Sequence, residues 1–172
     1  MPIEQGPILL AIARAEISAA LGKPLSLAMD APWLHEHAAT FVTLTQAEKL
    51  RGCIGSLEAY RPLVQDVKAN ALAAAFHDPR FTPLTLLELD LTRVEVSLLS
   101  ATEALNFKDE HDALTQLRPH IDGIVFEYQH HRSCVSASCS SLKFSAWVAE
   151  SNDTSTRVRS SSSSVSGVKR GS

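Results

Sequence analysis

The sequence has little cysteine and no long hydrophobic run. Its three cysteines, an odd number, argue against a disulfide framework and are typical of a protein in a reducing compartment. No run of 18 apolar residues is present, so the sequence predicts no transmembrane helix. The first 22 residues lack a basic segment, and Glu4, Arg14 and Glu16 interrupt their apolar residues, which favours a helix over a signal peptide. We therefore expect a cytoplasmic protein.

Acidic and basic residues are distributed unevenly along the chain. Residues 1–133 contain 11 Lys and Arg against 17 Asp and Glu, a net charge of −6. Residues 134–172 contain 5 against 2, a net charge of +3. Because an acidic body repels a phosphate backbone, the charge distribution argues against general nucleic-acid binding.

Serine content divides the chain at residue 133. The first 132 residues contain five serines and the last 40 contain fifteen, and hydrophobic periodicity stops at the same border. A small, polar segment of low complexity buries too little apolar surface to offset the entropy lost on ordering. We expect one domain over residues 1–132 and a serine-rich, largely disordered tail over residues 133–172, in which 143–150 is at most loosely docked.

Hydrophobic spacing within the first 132 residues predicts an α+β fold around a mostly antiparallel sheet. Helical spacing predicts a helix over 7–21, and Pro62 begins a second helix. The runs "ATFVTLTQ" and "KLRGCIGSLE", separated by the polar turn "AE", predict a hairpin. Alternation in "LTRVEVSLLS" predicts a third strand, before a short helix at 107–117 and a strand at 124–129.

The second predicted helix has one apolar face. Leu63, Val67 and Ala71 belong to that face at helical spacing. Asp66 and Asn70 are expected to point elsewhere. The acidic stretches at 88–90 and 108–112 are most simply solvated faces.

The stretch "RGCIG" carries the most informative candidate chemistry. Glycine inside a strand marks a bend or a close approach of a backbone or a ligand, and Gly52 and Gly55 would free space around Cys53. On a regular strand Arg51 shares a face with Cys53 and would favour a thiolate. The alternative is a buried, inert thiol, because free cysteine is among the most buried residue types.

Two other patterns suggest binding chemistry. "GCIG" matches the G-x-x-G form of a KH loop, which clamps a nucleic-acid backbone, although the pattern is short and the body is acidic. His35 and His37 could supply two metal ligands, but they lie in a predicted loop without an H-E-x-x-H or C-x-x-C motif. A surface loop is the simpler interpretation, so we predict no metal site.

The segment "HDPRFTP" ends the second predicted helix. Because Asp78 precedes Pro79, its backbone is restricted to extended geometry, which holds Asp78 and Arg80 in a stiff turn. Two opposite charges held in this way can form a structural ion pair or point at a ligand.

Three segments together resemble the AMMECR domain family: "FVTL…LRGCIGSLE", "DVKANALAAAFHDPRFTPL" and "LTRVEVSLLS". The resemblance is to the bacterial branch named AmmeMemoRadiSam system protein A, and it covers about residues 7 to 132. It rests on several motifs in order, at 50–55, 70–71, 78–81 and 96–97.

This resemblance implies two unequal lobes. The family's hallmark motif, residues 50–55 in this chain, would line a cleft between them. It implies association with a Memo-like protein and a radical-SAM protein, no cofactor for this chain, and no settled reaction. Within it, Cys53 is the candidate catalytic residue. The candidate ligand-binding residues are Arg51, Gly52, Gly55, Asn70, Asp78 and Arg80.

The resemblance stops at the serine border. Family members are expected to continue past "HHRS" with another strand and a final helix, whereas this chain continues with "CVSASCSSLKF". A shift of reading frame near Ser133 is one hypothesis, which the nucleotide sequence would test. A genuine serine-rich extension is the alternative.

Three functions fit these residues. The first is an accessory protein that presents its cleft to the Memo-like or radical-SAM partner. The second is a Cys53-dependent enzyme acting on a small anionic substrate held by Arg51 and Arg80. The third is nucleotide or RNA binding through Gly52–Gly55. We favour the first, because no complete set of nucleophile, base and oxyanion donors can be named.

Overall fold

The computed structural model of the chain describes residues 5–26, 30–108, 110–117, 122–128, 131–136 and 155–161. These residues belong to two units, one built on residues 1–98 and one on residues 99–162. The first unit contains every predicted site residue, and its sheet and helices position them. Within the described residues, no helix has the length and apolar character needed to cross a membrane.

The predicted hairpin is the central feature of the first unit. Strand β1 (Thr40–Gln46) pairs antiparallel with strand β2 (Lys49–Gly55). Ala47 and Glu48 form the two-residue turn, with φ of 47° and 61°. These left-handed values match the twist of a two-residue hairpin, although glycine or asparagine is the usual residue there.

The third predicted strand pairs with β1, which therefore lies between two antiparallel neighbours in the first unit. Strand β3 (Arg93–Ala104) pairs with β1, so that Val42 lies opposite Val96 and Leu44 opposite Val94. Because side chains alternate across a strand, these residues share one buried face. On the other side of β1, β2 forms the edge of the sheet.

Two helices build the core of the first unit. Helix α1 (Gln5–Ala20) packs against helix α2 (Leu63–Phe76), and α2 packs against β1 and β2. Their apolar positions meet the buried face of the sheet. The core includes Leu9, Ile12, Ala13, Ile17, Val42, Leu44, Leu63, Val67, Ala71, Ala74, Val94 and Val96.

Two short helices were not predicted. A 3-10 helix spans Pro32–His35, in a segment whose sequence indicates a loop. Helix α3 (Leu86–Leu89) lies between α2 and β3. At four residues each, both are too short to show a hydrophobic period.

The second unit is also α+β. It contains helix α4 (Glu110–Gln116) and strand β4 (Asp122–Tyr128), near the predicted helix and strand. Strand β4 pairs antiparallel with β5 (His131–Ser136) and with β6 (Ser155–Ser161). Both of these strands include positions after residue 132, whereas the segment 143–150 lies outside the described residues. The α+β prediction is confirmed.

Candidate functional site

Asp78 and Arg80 hold the backbone of Cys53 at the free edge of β2. Asp78 Oδ2 accepts the N–H of Cys53 at 2.9 Å, and Arg80 Nη2 donates to the carbonyl of Cys53 at 3.1 Å. Arg80 also donates to both carboxylate oxygens of Asp78, at 2.9 Å from Nε and 2.7 Å from Nη2. We call these three residues the edge clamp. The expected stiff turn is therefore present, and its ion pair contacts the hallmark strand.

The two ions of the edge clamp differ in burial. The side chain of Asp78 is 2% exposed, whereas that of Arg80 is 53% exposed. The Arg80 guanidinium, helped by the N–H of Cys53, holds the pKa of Asp78 well below its usual range, although burial acts in the opposite direction. Asp78 is therefore a buried, ionised anchor, and Arg80 is a half-exposed cation with a fixed orientation.

The thiol of Cys53 faces Thr43 of β1. Because the N–H of Cys53 is bonded to Asp78, the Thr43–Cys53 pair is of the non-hydrogen-bonded kind, in which facing side chains come close. The Sγ atom lies 3.3 Å from the Thr43 hydroxyl, and either atom can donate. Cys53 is half-buried. The charged groups of the edge clamp thus hold its backbone, while a neutral hydroxyl meets its sulfur.

Packing accounts for both glycines of the hallmark motif. A Cβ on Gly52 would lie 2.2 Å from the carbonyl oxygen of Ala74 in α2, so glycine allows the helix to approach the strand. A Cβ on Gly55 would lie 2.3 Å from the ring of Phe41, its partner on β1. The glycines therefore lie within a paired strand rather than a loop. Their ligand-binding role stays a prediction.

A β-bulge redirects Arg51. The register of the hairpin shifts between Leu44 and Thr45, so that Gly52 and Leu50 have partners and Arg51 has none. A bulge breaks strict alternation, and the regular strand on which Arg51 was expected to share a face with Cys53 is absent here. The Arg51 side chain is instead only 10% exposed and contacts α3.

Glu88 of α3 receives the guanidinium of Arg51. Arg51 donates from Nε to Oε1 at 3.1 Å and from Nη2 to Oε2 at 3.3 Å. The same carboxylate accepts the N–H and hydroxyl of Thr85, at 2.9 and 2.8 Å, which caps the start of α3. Arg51 and then Thr85 lower the pKa of Glu88 to about 2. The expectation that Glu88 lies on a solvated face is wrong, because it is half-buried in this ion pair.

Phe81 lies between two guanidinium groups. Its ring centroid is 5.9 Å from the guanidinium carbon of Arg51 and 5.5 Å from that of Arg80. Both distances are within the range of cation–π attraction. The ring therefore lies between the edge clamp and the Arg51–Glu88 pair and links the two polar groups.

Asn70 belongs to a separate set of polar residues around the carboxylate of Asp66. The Asp66 oxygens accept hydrogen bonds from the Thr40 N–H and hydroxyl, Ser56 Oγ, Arg61 Nε and Asn70 Nδ2, all between 2.6 and 3.0 Å. We call these five residues the buried carboxylate network. Asn70 also donates to the carbonyl of Thr40 at 2.9 Å. The network fastens α2 to β1.

The expectation that Asp66 and Asn70 point away from the buried face is wrong. Asp66 is fully buried, and Asn70 is 4% exposed. Burial of a charge is tolerated when it is paired and hydrogen-bonded, and Asp66 has both an arginine and four uncharged donor groups. Helical spacing alone cannot distinguish such a residue from a solvated one.

The structure brings together some of the predicted site residues and separates another. Cys53, Asp78 and Arg80 are in direct contact, and Arg51 joins them through Phe81. Asn70 contacts the buried carboxylate network instead. The residues that sequence reasoning missed are Thr40, Ser56, Arg61, Asp66, Phe81 and Glu88.

Metal-ligating side chains are not clustered in the part of the chain that the structure describes. No group of three His, Cys, Asp or Glu side chains there is arranged to hold a metal ion. His35 pairs with the exposed Asp30, with 2.6 Å between Nε2 and Oδ1.

Comparison with known structures supports the fold. An uncharacterised protein from Pyrococcus horikoshii, PH0010, matches with a TM-score of 0.74 and 26% sequence identity. The match covers 91% of this chain and 89% of that one.

Curated relatives come from archaea. The chain is 36% identical over 135 residues to Protein MJ0810 of Methanocaldococcus jannaschii, which is 77% of this chain and 67% of that protein. It is 37% identical over 133 residues to a protein of Sulfolobus acidocaldarius, which is 73% of this chain and 58% of that protein. The second match thus spans less than two thirds of the relative. The AMMECR1 family model matches residues 10–136. The chain therefore belongs to the AMMECR1 family.

Proposed function

We propose that the chain is a non-catalytic accessory domain that presents the edge of β2 to a protein partner in the cytoplasm. The partner we propose is the Memo-like protein or the radical-SAM protein that the resemblance to the bacterial branch implies. The observation that carries this proposal is the edge clamp. It holds the half-exposed Arg80 against the backbone of β2 without using the side chain of Cys53.

The edge clamp has the properties of a binding anchor. Arg80 is bonded to Asp78 through two nitrogens and to the carbonyl of Cys53, so little further side-chain entropy is lost when a partner contacts it. Arginine is enriched among residues that dominate binding energy at protein interfaces. The edge clamp also occupies both backbone polar groups of Cys53, which discourages non-specific strand pairing at this edge.

Binding of the purified partners to three single variants tests the proposal. Arg80→Gln should weaken the complex at least tenfold, because the fixed guanidinium is lost. Cys53→Ser should leave affinity within twofold, because serine keeps a hydrogen-bonding group opposite the Thr43 hydroxyl and the backbone bonds of the edge clamp do not use the side chain. Arg93→Gln is the matched control, since Arg93 is a 42% exposed arginine with one weak contact to Glu48 at 3.6 Å. Absence of any complex, or an affinity unaffected by Arg80→Gln, would contradict the proposal.

A Cys53-dependent enzyme acting on a small anionic substrate is the second candidate. The observation that favours it is the half-buried Cys53, whose carbonyl accepts a hydrogen bond from Arg80, with Phe81 between Arg80 and Arg51. In that case Cys53→Ser would abolish turnover of the small anionic substrate in the presence of the partners. Complex formation and folding would stay intact. The same variant thus separates the two candidates.

A further inference from the structure

The donors of Arg51 are satisfied on one edge of the guanidinium only. Nε and Nη2 form a side-on pair with Glu88. Nη1 is buried and has no hydrogen-bond acceptor among the described residues. Arg51 is 8% exposed as a whole residue, so water at the surface does not serve this nitrogen.

An unsatisfied buried donor is costly. Leaving such a group without an acceptor costs the desolvation free energy of the donor, and the cost is larger when the group is charged. Arg14 shows the alternative within the same unit. Its Nη1 and Nη2 donate to the backbone carbonyls of Thr92 and Leu89, at 2.9 and 3.0 Å. With an acceptor at Nη1, both Nη atoms of Arg51 would be hydrogen-bonded, as both are in Arg14.

Charge balance restricts the chemistry of that acceptor. Arg51 is neutralised by Glu88, and Arg80 by Asp78. A carboxylate placed against buried Nη1 would add an uncompensated negative charge, and the desolvation of a buried ion is strongly unfavourable. A neutral carbonyl oxygen accepts the same hydrogen bond without that cost.

We propose that Arg51 Nη1 is the donor of a ligand subsite that takes the neutral carbonyl oxygen of an amide. The half-buried ring of Phe81, 5.9 Å from the guanidinium carbon, supplies an apolar surface for the carbon atoms of the amide. Because Nη1 is buried, the amide can contact it only when a neighbouring side chain moves aside. The subsite does not depend on the identity of the protein partner, so it goes beyond the proposed function.

Guanidinium ¹⁵N NMR of the arginine-labelled full chain tests this subsite directly. N-methylacetamide is titrated as the probe, and acetate is titrated separately at constant ionic strength. The Arg51 Nη signals should shift saturably with N-methylacetamide, whereas the same concentration of acetate should give less than one tenth of the shift. Arg14, whose Nη donors already have acceptors, is the internal control and should not move.

Three results would overturn the proposal. They are an Arg51 signal that does not saturate with N-methylacetamide, an equal or larger response to acetate, and a parallel movement of Arg14. The first would mean that a buried water alone serves Nη1. N-methylacetamide should also raise the thermal unfolding temperature of the wild type in a saturable way. Arg51→Lys keeps a positive charge beside Glu88 but lacks the planar guanidinium, so it should abolish this thermal shift. Arg93→Lys should retain that shift. If Arg51→Lys does not fold, the wild-type titrations decide.

Discussion

Asp78 replaces a neighbouring strand for Cys53, since its Oδ2 accepts the Cys53 N–H at 2.9 Å on the outer edge of β2. Arg80 completes the replacement by donating to the carbonyl of the same residue. A sheet edge normally leaves such groups open to another chain. The shape of this edge therefore comes from an ion pair that holds the backbone of Cys53.

Removal of Asp78 should expose the Cys53 amide to exchange. A hydrogen bond to a charged group contributes about 1.5–3 kcal/mol, so Asp78→Ala should accelerate hydrogen exchange of this amide at least tenfold. Residue-resolved exchange by NMR measures this. The Ser56 amide, which donates to the carbonyl of Thr40 at 2.9 Å, should keep its protection. Equal acceleration at both amides would indicate general destabilisation rather than loss of the edge clamp.

Asp66→Ala should be strongly destabilising. The change leaves the Thr40 N–H and Arg61 Nε without their carboxylate acceptor, and Arg61 without its ion-pair partner. Removing one partner of a buried ion pair costs about 3–5 kcal/mol, and urea unfolding followed by circular dichroism measures the change. Asp90→Ala is the matched control, because Asp90 is exposed and its replacement should alter stability by less than about 0.5 kcal/mol. Similar losses in both variants would refute the role of the network.

Glu88→Gln should remove part of the acid sensitivity of the fold. The pKa of Glu88 is lowered from 4.5 to about 2 in the folded chain, so the unfolded state binds this proton first as pH falls. Its contribution to stability is therefore complete above pH 4.5 and is lost as pH falls towards 2. Urea unfolding between pH 6 and pH 2 should show a smaller loss for Glu88→Gln than for the wild type. Identical pH profiles would show that Glu88 is not ion-paired in solution.

Gly52→Ala should destabilise the first unit by about 3 kcal/mol. Its Cβ would meet the Ala74 carbonyl, a backbone group that cannot turn aside, and overpacking typically costs about 1–3 kcal/mol. Gly55→Ala meets the Phe41 ring instead, so the substitution Phe41→Leu should restore part of its lost stability. The same substitution should not rescue Gly52→Ala. Thermal unfolding of the four variants checks this, and a stable Gly52→Ala protein would contradict the packing.

Local patterns in the sequence were sufficient to predict the main elements of the fold. The "AE" turn and the two flanking runs predicted the β1–β2 hairpin, and Pro62 predicted the start of α2. The stiff Asp78–Arg80 turn was also predictable, because the proline restricts the residue before it. Each of these features depends on residues close together in the chain.

Contacts between distant residues were not predictable from those patterns. Glu88 is 37 positions from Arg51, and Asp66 is 26 positions from Thr40. A carboxylate on a helix is usually solvated, and only the tertiary fold shows which ones meet a buried arginine. The bulge at Arg51 was missed for a related reason, since the register of β2 depends on its partner strand.

The alkylation rate of Cys53 in the folded chain, relative to the urea-unfolded chain at the same pH, tests the central claim most directly. Peptide mass spectrometry separates it from Cys134 and Cys139. If the edge clamp serves the backbone and the thiol is not an activated nucleophile, folding should slow the alkylation of Cys53 at every pH between 6 and 9. An alkylation rate at pH 6–7 that is faster in the folded chain than in the unfolded chain would contradict the account and show that the fold activates the Cys53 thiol as a nucleophile.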